Sequence, residues 1–199
     1  MLAGGTGMLG WLIVEQKRDG KPTTLGVASG AVAGLVGITP ACGFVEPLGG
    51  AAIGLLAGVI AALAIRLKYR FGFDDSLDVV AVHGIGGLTG LLATGLLATT
   101  AVNAAGANGL FYGGGFTQLG RQALAALVTI AYSGVLTLVI AAVVQKTLGL
   151  RADRDVELSG IDEHEHAESA YDHGRFGLSH TAITHPHAHP APGRADPVA

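Results

Sequence analysis

"LDVVAVHGIGGLTGLLATGLLATT" (Leu77–Thr100) places one histidine, His83, inside a run that is apolar, glycine or hydroxyl-bearing after its opening Leu77–Asp78. An α-helix needs about 20 mostly apolar residues to cross the hydrocarbon of a bilayer. This stretch has that length. So do Thr23–Val45, Leu48–Ile65 and Gln122–Leu148, the second of them at the short limit. The leading Met1–Val14 is apolar but only about 14 residues long, less than a full span. A signal peptide is the alternative reading, but the segment has no positively charged start and "EQKRDGK" follows it instead of a cleavage site, so the end of a span is preferred. It reads as the end of a span that starts upstream. The expected fold is an all-α membrane protein: a transmembrane helix bundle of about five spans, the first incomplete, over residues 1–150, with a mostly disordered C-terminal tail.

Composition agrees. Charged residues make up 14% of the 199-residue chain, and 32 residues are glycine. Soluble domains average about 25% charged and about 7% glycine. Glycine is common in membrane helices because it lets backbones approach closely. Here it recurs every fourth residue: Gly26, Gly30 and Gly34, then Gly50, Gly54 and Gly58, then Gly86 and Gly90. Each set predicts a smooth stripe for helix packing. A net charge of -3 argues against a nucleic-acid partner. The single Cys42 excludes an internal disulfide, and no zinc-type spacing surrounds it.

The basic residues order the topology. Lys17, Arg18 and Lys21 follow the first segment, Arg66, Lys68 and Arg70 follow the third, and Lys146 at the end of the fifth is followed by Arg151 and Arg154. The alternate loops carry only Arg121. The positive-inside rule makes the first set cytoplasmic, with the start of the chain outside and the tail inside.

A helix starting near Asp75 would put Asp74, Asp75 and Asp78 where its dipole favours negative charge. Asp78 could equally tie neighbouring helices together. His83 would lie about 7–8 Å deeper, buried with Val79, Val80, Gly86 and Gly87 around it. Ionisable residues inside spans usually face a bundle interior or a transport path. A neutral imidazole offers one donor and one acceptor nitrogen, so it can pass on a proton or a small polar molecule. The bland alternative is an imidazole bonded to a neighbouring carbonyl. No serine or cysteine stands near it as a catalytic partner, so an enzyme is not expected.

"DDSLDVVAVHGIGG" (Asp74–Gly87) resembles the signature of ammonium transporters of the Amt/Mep/Rh superfamily, the bacterial Amt branch in particular. "GKPTTLGVASGAVAGLVGITPACGFVEPLGGAAIG" (Gly20–Gly54) resembles the segments that precede it. "GLR" (Gly149–Arg151), "GID" (Gly160–Asp162) and "HAESAY" (His166–Tyr171) resemble the family's tail, although Ala167 stands where glycine is usual. The resemblance covers about Trp11 to Tyr171.

It implies the later part of an eleven-span channel: the end of span seven, then spans eight to eleven. Such channels are homotrimers in the cell membrane with one narrow hydrophobic pore per subunit. Ammonium is deprotonated there and ammonia is conducted past two adjacent histidines. His83 matches the second of the pair, and Val79 a pore-lining position one turn earlier. Thr39 falls in a motif near the outer vestibule. The first histidine and the outer aromatic site belong to the family's earlier half. In the cytoplasmic regulatory tail, residues 151–172, the resemblance picks out Arg151, Gly160, Asp162, His166, Glu168 and Tyr171, with Gly149 just before it. That tail couples subunits and takes part in regulation by P-II signalling proteins. No cofactor or metal is implied. Three other readings accompany this one: a non-transporting fragment, an ammonium sensor built on the same fold, and a metal transporter using the His-rich tail, for which His83 is the one qualifying ligand within the spans.

Seven of the eight histidines fall after residue 150, and "HPHAHPAPGRADP" is rich in proline without a periodic apolar face. The 173–199 extension is predicted to be disordered. Metal capture by this tract is the minor reading, because no fixed coordination geometry follows from it.

Overall fold

The computed structural model describes residues 1–166, and the chain divides into two units, residues 1–139 and 140–199. Glu168, Tyr171 and the 173–199 extension lie outside the described residues. All regular structure among the described residues is helical. In the first unit α1 (Leu2–Asp19), α2 (Thr24–Ile38), α3 (Pro47–Ala64) and α4 (Arg66–Phe71) are followed by a π-helical turn, Val80–Ile85, and α5 (Gly86–Leu97). After a loop with a short 3₁₀ turn (Leu110–Tyr112) comes α6 (Thr117–Thr147), which runs into the second unit. Three helical stretches are long and apolar enough to cross a membrane: Pro47–Phe71, Val80–Leu97 and Thr117–Thr147. Thr24–Ile38 is a shorter apolar helix.

The expected boundaries needed correction at three places. The first segment does not stop at Val14, because α1 continues to Asp19 and ends on Gly20, whose φ of 77° suits glycine. Its 18 residues span about 27 Å. The Thr23–Val45 span is helical only to Ile38. Pro40 has no N–H, and its ring would strike the carbonyl of the preceding turn. The chain instead tightens, with Thr39 N–H donating to Val36 O at 3.2 Å. The helix expected from Asp75 starts only beyond Asp78, whose φ of 56° breaks the helical path.

The two glycine triplets converge on α1. A Cβ on Gly34 or Gly54 would strike the Ala3 carbonyl oxygen, and one on Gly58 the Gly7 carbonyl. On Gly30 it would lie 2.6 Å from the Trp11 Cβ. Backbone-to-backbone contact of this kind holds helices together in lipid, where burying apolar side chains brings little gain. Gly50 departs from the pattern, with only Ile38 Cδ1 nearby at 3.4 Å. Gly90 is held in the same way against the Gly37 carbonyl, which fixes α5 on α2. The core is accordingly made of small residues. Ala33, Ala61 and Ala62 pack with Trp11, Val14 and Val82, and Ala41 and Ala93 pack with Val45 and Ile53. Large residues such as Leu25, Leu48 and Leu63 point outward, as expected of surfaces that face lipid.

Glu15, only 7% exposed within α1, is held by several donors. Trp11 Nε1 donates to it at 3.1 Å, Thr23 N–H at 2.9 Å and the Thr23 hydroxyl at 3.1 Å. Thr23 also caps α2 by accepting from Gly26 N–H at 2.9 Å. At the same end of this unit, Arg18 Nη1 reaches the Ala62 carbonyl at 3.0 Å.

Candidate pore site

Three carboxylates open the segment that carries His83, and two of them, Asp75 and Asp78, have distinct contacts. Asp75 is the cap: it accepts from Val79 N–H at 2.8 Å and Val80 N–H at 2.9 Å. Asp78 is the one non-glycine residue among those described with positive φ. That conformation costs an ordinary residue about 1–2 kcal/mol, and aspartate somewhat less. Its Oδ1 lies 2.7 Å from Lys68 Nζ, a Coulombic contact rather than an aligned hydrogen bond, and no other donor among the described residues reaches it. Lys68 also donates to the Asp75 carbonyl at 3.0 Å. One ammonium therefore spans both ends of the Asp75–Asp78 turn.

The first helical bond beyond the turn is Val82 N–H to Asp78 O at 2.8 Å. The chain then widens into the π turn, and Gly86 N–H reaches both Ala81 O and His83 O. Single π turns within α-helices are rare and recur at functional sites. His83 sits inside this one.

The turn sets which residues share a face with His83. The expected neighbour Gly86 packs toward Ala33, Gly90 meets Gly37, and Thr94 is 4% exposed, bonded to Gly90 O at 2.9 Å. These face the bundle. His83 instead opens with Gly84, Gly87, Leu88 and Leu91 onto a shallow apolar groove of about 220 Å³. Ala126, Thr129 and Ile130 of α6 form the other wall. The burial expected for the imidazole is thus corrected: in this chain it is exposed. It also makes no hydrogen bond among the described residues, so the carbonyl-bonded alternative does not describe it.

Val79 is 49% exposed at the start of the segment but does not line the groove. Thr39 sits at the far end of α2, two residues beyond the Gly37–Gly90 contact, and its hydroxyl donates to Leu35 O at 2.7 Å. The structure does not bring Thr39 to His83. At that far end the phenol of Tyr112 donates to Glu46 at 3.3 Å, and partial burial together with the Glu46 carboxylate raises its pKa.

In the second unit Gly149 ends α6 with φ 83°. Arg151 pairs with Glu157 of α7 (Arg154–Ser159) through two contacts, Nε at 2.7 Å and Nη2 at 3.2 Å. Gly160, with φ 108°, separates α7 from α8 (Ile161–His166), which holds Asp162 and ends at His166. No group of three or more metal-ligating side chains occurs among the described residues.

Glu15, Lys68 and Thr129 escaped the sequence reading as site-shaping residues, whereas Asp75 was placed at the helix start where it caps. Glu15 and Lys68 lie in charged stretches that read as loops. Trp11 four residues before Glu15 on a helix was the available signal for the first. Thr129 had none.

Residues 1–171 match the profile of the Ammonium Transporter Family. The ammonium transporter of Mycobacterium tuberculosis is 57% identical over 176 residues, covering 86% of this chain and 37% of that protein. That of Bacillus subtilis is 46% identical over 170 residues, covering 85% and 42%. The crystal structure of Saccharomyces cerevisiae Mep2 superimposes with a TM-score of 0.71 at 35% identity, over 77% of this chain and 36% of that one. A structure titled "Sensor Amt Protein" superimposes at 0.68 with 26% identity, over 83% and 40%. The chain therefore spans well under half the length of these relatives.

Proposed function

The chain belongs to the ammonium transporter family, and we propose that it forms part of a channel in which His83 takes the proton of ammonium so that ammonia crosses a hydrophobic pore. The observation that carries this reading is an unbonded imidazole on an otherwise apolar groove. A bare cation in such surroundings carries a desolvation penalty of tens of kcal/mol. Ammonium escapes most of it by giving up a proton, and potassium has none to give. A neutral imidazole can accept that proton on one nitrogen and donate a hydrogen bond from the other. No other histidine precedes His164, so the second imidazole of the pair comes from another segment. In this reading Val79 lines the pore a turn from His83, and Thr39 lies toward the outer mouth.

The same reading places the protein in the cell membrane as a homotrimer with its C-terminus in the cytoplasm. Gly149, Arg151, Gly160, Asp162, His166, Glu168 and Tyr171 then shape a tail that couples subunits and answers to a P-II partner. Uptake of methylammonium and of potassium by a full-length protein carrying His83→Ala tests the reading. Selectivity for ammonium falls if His83 is the relay, and unchanged selectivity rejects it.

The likeness to the sensor Amt structure supports a second reading, in which ammonium binding is signalled through the tail. Ammonium-dependent change at the tail without uptake favours it. Failure of this chain to support uptake beside an active full-length protein favours the non-transporting reading.

A further inference from the structure

We propose that Lys68 is a positioning residue for His83: by spanning the Asp75–Asp78 turn it holds the π turn that aims the imidazole into the groove. The inference rests on the pore reading of His83 and adds a residue from a different helix.

The segment between Asp78 and Gly90 is held at both ends. Downstream, Gly90 lies against the Gly37 carbonyl, a close backbone contact that holds α5 on α2. Upstream, Lys68 grips the Asp78 carboxylate at 2.7 Å and the Asp75 carbonyl at 3.0 Å. Both side chains are largely out of water, with Lys68 15% and Asp78 24% exposed. Between fixed ends, a chain holding one residue more than an α-helix needs must bulge, and a π turn is that bulge. Asp78 stays at φ 56°, a strained conformation, while the Asp75 cap holds the residues after it and the Lys68 ammonium holds its side chain. Without Lys68 the extra residue can move out into the turn. Val80–Ile85 then winds as α-helix, which rotates His83 by about 100° against the fixed α5. The imidazole leaves the groove while α1, α2 and α3 remain packed.

The test follows His83 directly. The chain is placed in lipid nanodiscs and treated with diethyl pyrocarbonate, and modification at His83 is compared with that at His164 by mass spectrometry. Lys68→Met should change the His83-to-His164 rate ratio by about threefold or more. Lys68→Arg, which keeps the charge, should restore it. If Lys68→Met fails to insert, the double variant Lys68→Met with Asp78→Asn, which leaves no unpaired Asp78 carboxylate, should insert and show the changed ratio instead. Amide exchange in α1 and α2 should match the unsubstituted chain throughout. An unchanged ratio in the neutral variants, or a change that Arg does not reverse, overturns the proposal. Neither readout depends on transport, so a failed relay role for His83 shows separately, in the selectivity of His83→Ala.

Discussion

Gly90 of α5 meets the backbone carbonyl of Gly37 in α2 with no room for a side chain between them. This contact fixes the helix that carries His83 to the rest of its unit. Gly90→Ala should therefore destabilise the bundle by about 1–3 kcal/mol through overpacking. Gly134→Ala in α6 serves as the control, since nothing lies within 4 Å of a Cβ there. Detergent-unfolding midpoints should drop for the first variant and hold for the second.

Glu15 ties α1 to the start of α2 through Trp11 and Thr23. Glu15→Ala strands the buried indole N–H of Trp11, a loss of about 1–3 kcal/mol, and frees the Thr23 N–H, which lies at an exposed residue and costs less. Glu15→Gln keeps an acceptor and should lose less. Trp11 is the one tryptophan of the chain, so its fluorescence reads this corner directly. A red shift and an earlier unfolding transition are expected for Ala, with a smaller effect for Gln.

Asp75 caps Val79 and Val80. Loss of such a cap typically removes about 1 kcal/mol. Asp75→Ala should speed amide exchange at these two positions about fivefold, and Asp75→Asn by less. Equal exchange in all three proteins would reject the capping role.

The Arg151–Glu157 pair is well exposed, with side chains 68% and 34% accessible. A double-mutant cycle on α7 stability should return only about 0.2–1 kcal/mol of coupling, and less at high salt. A larger value would mean that the tail is ordered by more than this pair.

Much of the bundle was legible in the chain. Four apolar runs became helices close to their expected places, because span length depends on hydropathy and bilayer thickness alone. The small-residue spacing pointed to close packing, because side chains four apart share a helix face. Helix ends were read less well. Pro40 cuts α2 short by local geometry that could have been weighed, whereas Asp78 breaks the next helix through a conformation held by Lys68 ten positions away.

The candidate site divides in the same way. That His83 is an imidazole in an apolar span was plain, and so was the family its neighbours resemble. Its orientation was not. An α-helical wheel puts Gly86 and Gly90 beside it, and the π turn turns both away toward α2. Glu15 is a comparable case, since a carboxylate in a charged stretch reads as loop until its donors are seen.

The amino-acid order by itself determined composition, helix periodicity and the glycine stripes, because these follow from each residue and its near neighbours. Only the tertiary structure decided that both stripes close on α1, that Lys68 grips the turn before His83, and that the imidazole faces a groove. The physical reason is that these features depend on contacts between distant helices, and a shift of one residue in a single turn redirects every side chain beyond it.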